Sequence, residues 1–240
     1  MSEKTQKIEK TIQDVIKSYT NVIRNIDEEA KNTTTGRAYG GIVRMSKGKL
    51  VEHIAPVIVK LAWHSLDASA QRLSFNHTSY EIPIKKEYVD NLENVAIKTY
   101  MLDNIKSYYY RFLPDVQVYI DGKFVMAIEC KTYTENAMLK RILVDFSLLK
   151  KIYPDLNCIL IQLESQLGGD YSKLNEPIYG SASTHTLFSY FSVNLAIITL
   201  LQGERRIDKA IHKHEHFKPL THGTLYKAVD TIKEILKKYK

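Results

Sequence analysis

Asp115, Glu129 and Lys131 bracket the most strand-like run of the chain, a stretch otherwise built for burial. Two carboxylates held a few ångströms apart repel, and each is pushed toward its protonated form unless a cation lies between them. Hard divalent ions such as Mg2+ are bound through one or two carboxylates, with water and phosphate oxygens completing the shell. A lysine two residues beyond Glu129 projects to the same side of an extended chain. There it can position an attacking water or neutralise charge that develops on a phosphate. These groups together are equipment for metal-assisted hydrolysis of a phosphodiester. The competing reading is ordinary charge at strand ends.

That chemistry requires all three side chains on one face of a hairpin. From Val116 to Ile120 the apolar residues fall on even positions, with Asp115, Gln117 and Tyr119 on odd ones. Past Asp121-Gly122, Phe124, Met126 and Ile128 are even and apolar, while Ala127, Glu129 and Lys131 are odd. Paired residues of an antiparallel hairpin have numbers of constant sum, and side chains alternate between faces. A two-residue Asp121-Gly122 loop pairs Ile120 with Lys123; that odd sum splits the apolar set and separates Asp115 from Glu129. A three-residue loop, Ile120 to Gly122, pairs Tyr119 with Lys123 and keeps both sets whole, with Gly122 in the left-handed position. The pattern therefore predicts a three-residue loop or an equivalent bulge. Asp115, Glu129 and Lys131 then share one face, and Val116, Val118, Phe124, Met126 and Ile128 the other.

The rest of the chain reads as a scaffold around that hairpin. Residues 5–30 repeat apolar side chains at three- and four-residue steps and predict an amphipathic helix. Residues 31–41 read as a polar, glycine-containing loop, followed by a helix from about Lys49 that is kinked or restarted at Pro56. One or two strands are expected over 72–84 and helix over 86–106. After the hairpin comes a helix from Thr134, its N-cap, to Tyr153, ended by Pro154. Residues 157–164 predict a buried strand, 165–183 a loop, and 184–202 a mostly buried helix. An amphipathic helix closes the chain. This order predicts an α/β class with a mixed sheet flanked by helices. It fits one domain over 1–240, with an N-terminal helix and loop to 40, a core over 41–165 and a helical part over 166–240.

Pro114-Asp115, thirteen intervening residues and Glu129-Cys130-Lys131 resemble the PD-(D/E)XK nuclease motif. The hydrophobic strand before Glu129 and the helix after Lys131 stand where that family expects them, so the resemblance covers about residues 110–165. A second Pro-Asp pair, Pro154-Asp155, leads only to "QLESQ" and offers no lysine. The resemblance implies a restriction-endonuclease-like core in which Asp115 and Glu129 bind Mg2+ and Lys131 is the catalytic lysine. Gly48 and Glu52 resemble the upstream helix of these nucleases, which implies Glu52 as an auxiliary acid. Size, single-domain layout and basic character most resemble a type II restriction endonuclease. That implies sequence-specific cleavage of double-stranded DNA by a homodimer in the cytoplasm of a prokaryotic cell. A repair or junction-resolving nuclease of the same fold, or a DNA-binding protein that does not cut, are the alternatives.

Composition is consistent with that reading. The 240 residues carry a net charge of +7 and are 44% hydrophobic, enough for a sizeable core and compatible with a polyanionic partner. Cys130 and Cys158 have no framework spacing, which points to a reducing compartment. No apolar leader follows Met1, and the run Val193–Leu201 is too short for a membrane span, so a soluble intracellular protein is expected. No glycine-rich phosphate loop with its lysine occurs. Candidate DNA contacts are Lys140 and Arg141 after the motif, and Ser183, Thr184 and His185 at a helix N-terminus, where backbone amides attract phosphate. Arg205 and Arg206 belong to a basic cluster that suits the DNA backbone. His212, His214 and His216 alternate like metal ligands but lack a fourth partner. Tyr108, Tyr109 and Tyr110 read as core packing.

Overall fold

A computed structural model describes residues 3–32, 36–169, 171–172 and 180–240. Its main sheet is built from β1 (Leu73–Asn76), β4 (Val116–Ile120), β5 (Lys123–Glu135), β6 (Asn157–Gln166) and β7 (Leu195–Thr199), in the order β1-β4-β5-β6-β7. β2 (Tyr80–Pro83) and β3 (Tyr109–Phe112) form a separate antiparallel ribbon. The β1, β4 and β5 pairings are antiparallel, whereas β5, β6 and β7 run parallel, so the sheet is mixed as expected.

Helices cover both faces. On one side α1 (Glu3–Lys31), α2 (Gly36–Ser65) and α7 (His222–Leu236) pack on Val116, Val118, Met126, Ile128, Ile159 and Ile161. On the other, α5 (Asn136–Leu149) and the β2–β3 ribbon pack on Phe124, Ala127, Cys158 and Leu160. α3 (Lys86–Asp90), α4 (Val95–Asp103) and α6 (Ala182–Ser189) are short. Among the described residues no helix is long and apolar enough to cross a membrane.

Three expectations are corrected. The polar loop expected over 31–41 is helical from Gly36, with 33–35 outside the described residues, and α2 runs unbroken through Pro56. A proline inside a helix costs about 3 kcal/mol and leaves the carbonyl four residues back, that of Glu52, without its helical donor. Val51, Ala55, Ile58, Val59, Ala62 and Trp63 are buried on the same helix, and at about 1.5–3 kcal/mol per large apolar side chain their burial outweighs that cost. The helix expected over 184–202 is α6 followed by β7, because a short apolar run covered on both faces has no period that distinguishes strand from helix. Finally, β5 continues to Glu135, so Thr134 is a strand residue opposite Ser165 and Glu135 is the residue that precedes α5.

The hairpin has the expected parity by a different device. Its loop is two residues: Ile120 faces Lys123, and Asp121 and Gly122 both take positive φ, 50° and 75°, as a type I′ turn requires. Tyr119 faces Phe124, but Val118 faces Met126, so Val125 is an extra residue with no opposite number. The sum of paired numbers changes there from odd to even. Val116 then faces Ile128, and the same register carried one step further sets Asp115 across from Glu129. The bulge also moves one residue out of its expected set: Phe124 packs with Tyr80 and Phe146, while Val125 joins the face of Val118.

Candidate active site

Asp115 stands at the junction between β3 and β4, behind a buried Pro114. Its Oδ2 accepts the backbone N–H of Cys130 at 2.7 Å, so an amide of β5 fixes the carboxylate against the neighbouring strand. Lys131 Nζ donates to the same Asp115 oxygen at 3.1 Å and to Glu129 Oε2 at 2.6 Å. One ammonium thus bridges both acids, on the α5 side of the sheet. Glu129 is only 8% exposed at its side chain, against 25% for Asp115 and 30% for Lys131. The three form a graded pocket edge with Glu129 innermost.

Burial pushes the Glu129 carboxyl up to about 7, against the pull of Lys131 and with a further push from Asp115 and Asp145. Burial pulls the Lys131 ammonium down, but Glu129 and Asp115 more than offset it, and the net shift is upward. Lys131 is therefore a persistent cation. Oxygen donors from two acids suit a hard divalent ion that keeps most of its water. Among the described residues no three His, Cys, Asp or Glu side chains cluster closely enough to hold a metal without such help.

Two groups were missed by sequence reasoning. Asp145 lies buried on α5, accepts the Tyr110 hydroxyl at 2.6 Å and stands 3.7 Å from Arg141 Nε. It is one of the charges that raise Glu129. Its signal was an acid on the inward stripe of a helix, one turn from Ile142 and Leu149. Tyr110, read as core packing, is instead 44% exposed with its hydroxyl committed to Asp145. Tyr109 is exposed as well.

The other candidates are dispersed. Glu52 is exposed on α2, and its charge acts on the Cys130 thiol but is not among those acting on Glu129. Lys140 and Arg141 are exposed on α5. The α6 N-cap is Ser181, which accepts the Thr184 N–H, while Ser183 and His185 are exposed. Thr184 is buried, and its hydroxyl lies 2.8 Å from both Asn136 Oδ1 and the Leu167 carbonyl, with one proton for the two acceptors, so it packs α6 on α5 and offers nothing to DNA. Arg206 is exposed, whereas Arg205 stacks 3.6 Å above the Tyr133 ring and donates to Gln166 Oε1 at 2.6 Å. Tyr133 is two residues past Lys131, so Arg205 reaches the same strand one step beyond the acids. His212 Nε2 lies 2.9 Å from the Tyr39 hydroxyl, which donates to Asp27, and His214 and His216 occupy a single 3-10 turn.

No family model matches the chain. The type II restriction enzyme DdeI of Desulfomicrobium norvegicum is 48% identical over 222 residues, which cover 91% of this chain and 92% of that protein. The chain belongs to the type II restriction enzymes. It is accordingly a site-specific DNA endonuclease, and the bridged acids lie in a nuclease and not in a binding protein or a repair enzyme. Among solved structures, the native BbvCI A2B2 tetramer is similar over 97% of this chain and 87% of its own. At a TM-score of 0.36 and 12% identity that likeness carries no argument about this enzyme.

Proposed function

We propose that Asp115, Glu129 and Lys131 form the hydrolytic centre of a Mg2+-dependent endonuclease that acts on double-stranded DNA as a homodimer. The observation that supports this most is the Lys131 ammonium shared between two carboxylates at 3.1 and 2.6 Å. An acid pair that needs a cation and already recruits one side-chain cation is matched to a hard metal ion. Asp115 and Glu129 would hold that ion, which supplies Lewis-acid stabilisation of the charge that builds on the phosphate oxygens.

The chain's own groups do the rest. The Cys130 amide keeps the Asp115 carboxylate from turning away when Lys131 is drawn elsewhere. Lys131, tethered at the solvent edge of the site, donates to the phosphate or to the attacking water as negative charge grows. Water oxygen bonds to phosphorus and gives up a proton to solvent, the bond from phosphorus to the leaving sugar oxygen breaks, and that oxygen takes up a proton from solvent. Glu52 would serve as an auxiliary acid by its place four residues after Gly48 on α2; its charge reaches Cys130, which faces α2 across the sheet from Glu129 and Lys131. Arg205, Arg206, Lys140, Arg141, Ser183 and His185 are proposed to meet the DNA backbone. Buried free Cys130 and Cys158 suit a reducing cytoplasm. Cleavage of both strands of a short palindrome follows from a twofold pair of chains.

Plasmid DNA with purified enzyme and MgCl2 tests the reading. Discrete fragments are expected from the native chain, none with EDTA, and loss of cutting by about 10²–10³-fold in Lys131→Ala, the usual cost of removing one stabilising donor. Full cutting by Lys131→Ala or by Asp115→Asn would remove the proposed centre.

A further inference from the structure

At the carboxyl ends of β5 and β6, one arginine is held in place by more than its own backbone. Tyr133 follows Lys131 on the same face of β5, and the β5–β6 register runs without a shift from Met126 to Glu135. The Arg205 guanidinium sits 3.6 Å from the centre of the Tyr133 ring and donates to Gln166 Oε1 at 2.6 Å. Its backbone N–H donates to the Ser165 carbonyl at 2.8 Å. Backbone and head group are thus tied to β6, and the flat of the head group to β5. An arginine restrained in this way has already given up much of the side-chain freedom that binding would cost. Among the described residues, the Gln166 bond occupies one of its five N–H donors and leaves the others for an anion.

The charge around that arginine is out of balance. Glu164, opposite Tyr133 in register, is buried and paired with Lys218 at 2.8 Å. Lys47 of α2 is 9% exposed and makes no direct ion pair or hydrogen bond among the described residues. Burial pulls its ammonium down, Glu164 opposes that pull, and the charge of Arg205 adds to it. Three cations therefore draw on one carboxylate, and a partly buried excess of positive charge is costly until an anion completes it. The substrate of a DNA endonuclease brings that anion as phosphate. Two residues along a strand advance by about 6–7 Å, close to the separation of successive phosphates on one DNA strand. With the scissile phosphate at Lys131, the plate formed by Tyr133 and Arg205 lies one phosphate away.

We propose that Arg205, braced on Tyr133, binds the phosphate next to the scissile one on the same strand and so sets the scissile phosphate against Lys131. The proposal rests on the hydrolytic-centre reading above and gives one of its backbone contacts a defined place. Such a contact carries no sequence information of its own; it fixes register, and Lys47 adds to the field at the same point.

A duplex that carries the mapped cleavage site tests it, with a single neutral methylphosphonate linkage placed one step 5′ or one step 3′ of the scissile bond. Single-turnover cleavage in MgCl2 is measured for the native chain and for Arg205→Ala. The native chain is expected to slow by about 10- to 100-fold at one of the two positions, the range for a hydrogen bond to a charged group. Arg205→Ala is expected to lose a similar factor on unmodified DNA, and nothing further when that same linkage is neutral. No loss by the native chain at either position, or losses that multiply at both, would overturn the contact, since an arginine that only braces β5 slows every duplex alike. A native chain that fails to cut unmodified duplex in MgCl2 would sink the hydrolytic-centre reading, and this placement with it. Should Arg205→Ala fail to melt cooperatively, Arg205→Gln takes its place, with the same outcomes.

Discussion

Glu129 is stored in a partly protonated condition by its surroundings. With its folded pKa raised from 4.5 to about 7, the folded enzyme binds more protons than the unfolded chain between those values. Stability without metal therefore falls as pH rises through that window. Glu129→Gln removes the penalty, so in EDTA its melting temperature should exceed that of the native chain at pH 8 and lose the advantage at pH 5. The gain is on the order of 3 kcal/mol, at about 1.36 kcal/mol for each pH unit that separates the folded pKa of about 7 from the unfolded 4.5. An equal difference at both pH values would contradict the burial argument. Asp145 acts on the same group from α5. Asp145→Asn takes away a like charge and should move the acid limb of the cleavage profile to lower pH, read from rate against pH at saturating Mg2+. Tyr110→Phe leaves a buried carboxylate short of a hydrogen bond, and a loss of about 1–3 kcal/mol in chemical denaturation is expected.

The bulge at Val125 lets a two-residue turn and the facing of Asp115 and Glu129 coexist. Deleting Val125 closes the bulge and leaves Val118 with Met126 and Val116 with Ile128, so Asp115 stays across from Glu129 and cleavage is expected to persist. One residue inserted between Gln117 and Val118 moves Asp115 one step along β5 and onto the face opposite Glu129, and loss of cleavage is expected; an insertion variant that cuts like the native chain would refute the parity account. Gly122→Ala, at φ 75° with nothing within 4 Å of the new methyl, should cost about 1 kcal/mol in thermal melting and leave cutting intact. The demand for a shared face was legible in the sequence because burial of Val116, Val118, Met126 and Ile128 allows one parity only. The choice of bulge over longer loop was not, since both satisfy the same pattern. β7 was illegible for a related reason: a strand covered on both faces has lost the alternation that identifies it. The break expected at Pro56 reflects a local preference that tertiary packing overrode.

Across the whole molecule positive charge is in excess, +7 in net, and residues 77–113 are neutral and take no part in it. DNA affinity should therefore fall steeply between 50 and 200 mM salt, which binding titrations over one salt series would check; an affinity indifferent to salt would exclude the phosphate backbone as the main contact. The single unpaired residue at Val125 also bears on how enzymes of this kind can change length as they diverge. Residues gained at the Asp121-Gly122 tip extend into solvent and leave the pairing of Val116 with Ile128 untouched. A residue gained or lost between Asp115 and the bulge turns one acid away from the other. The hairpin is free to drift at its tip, while its stem must be counted.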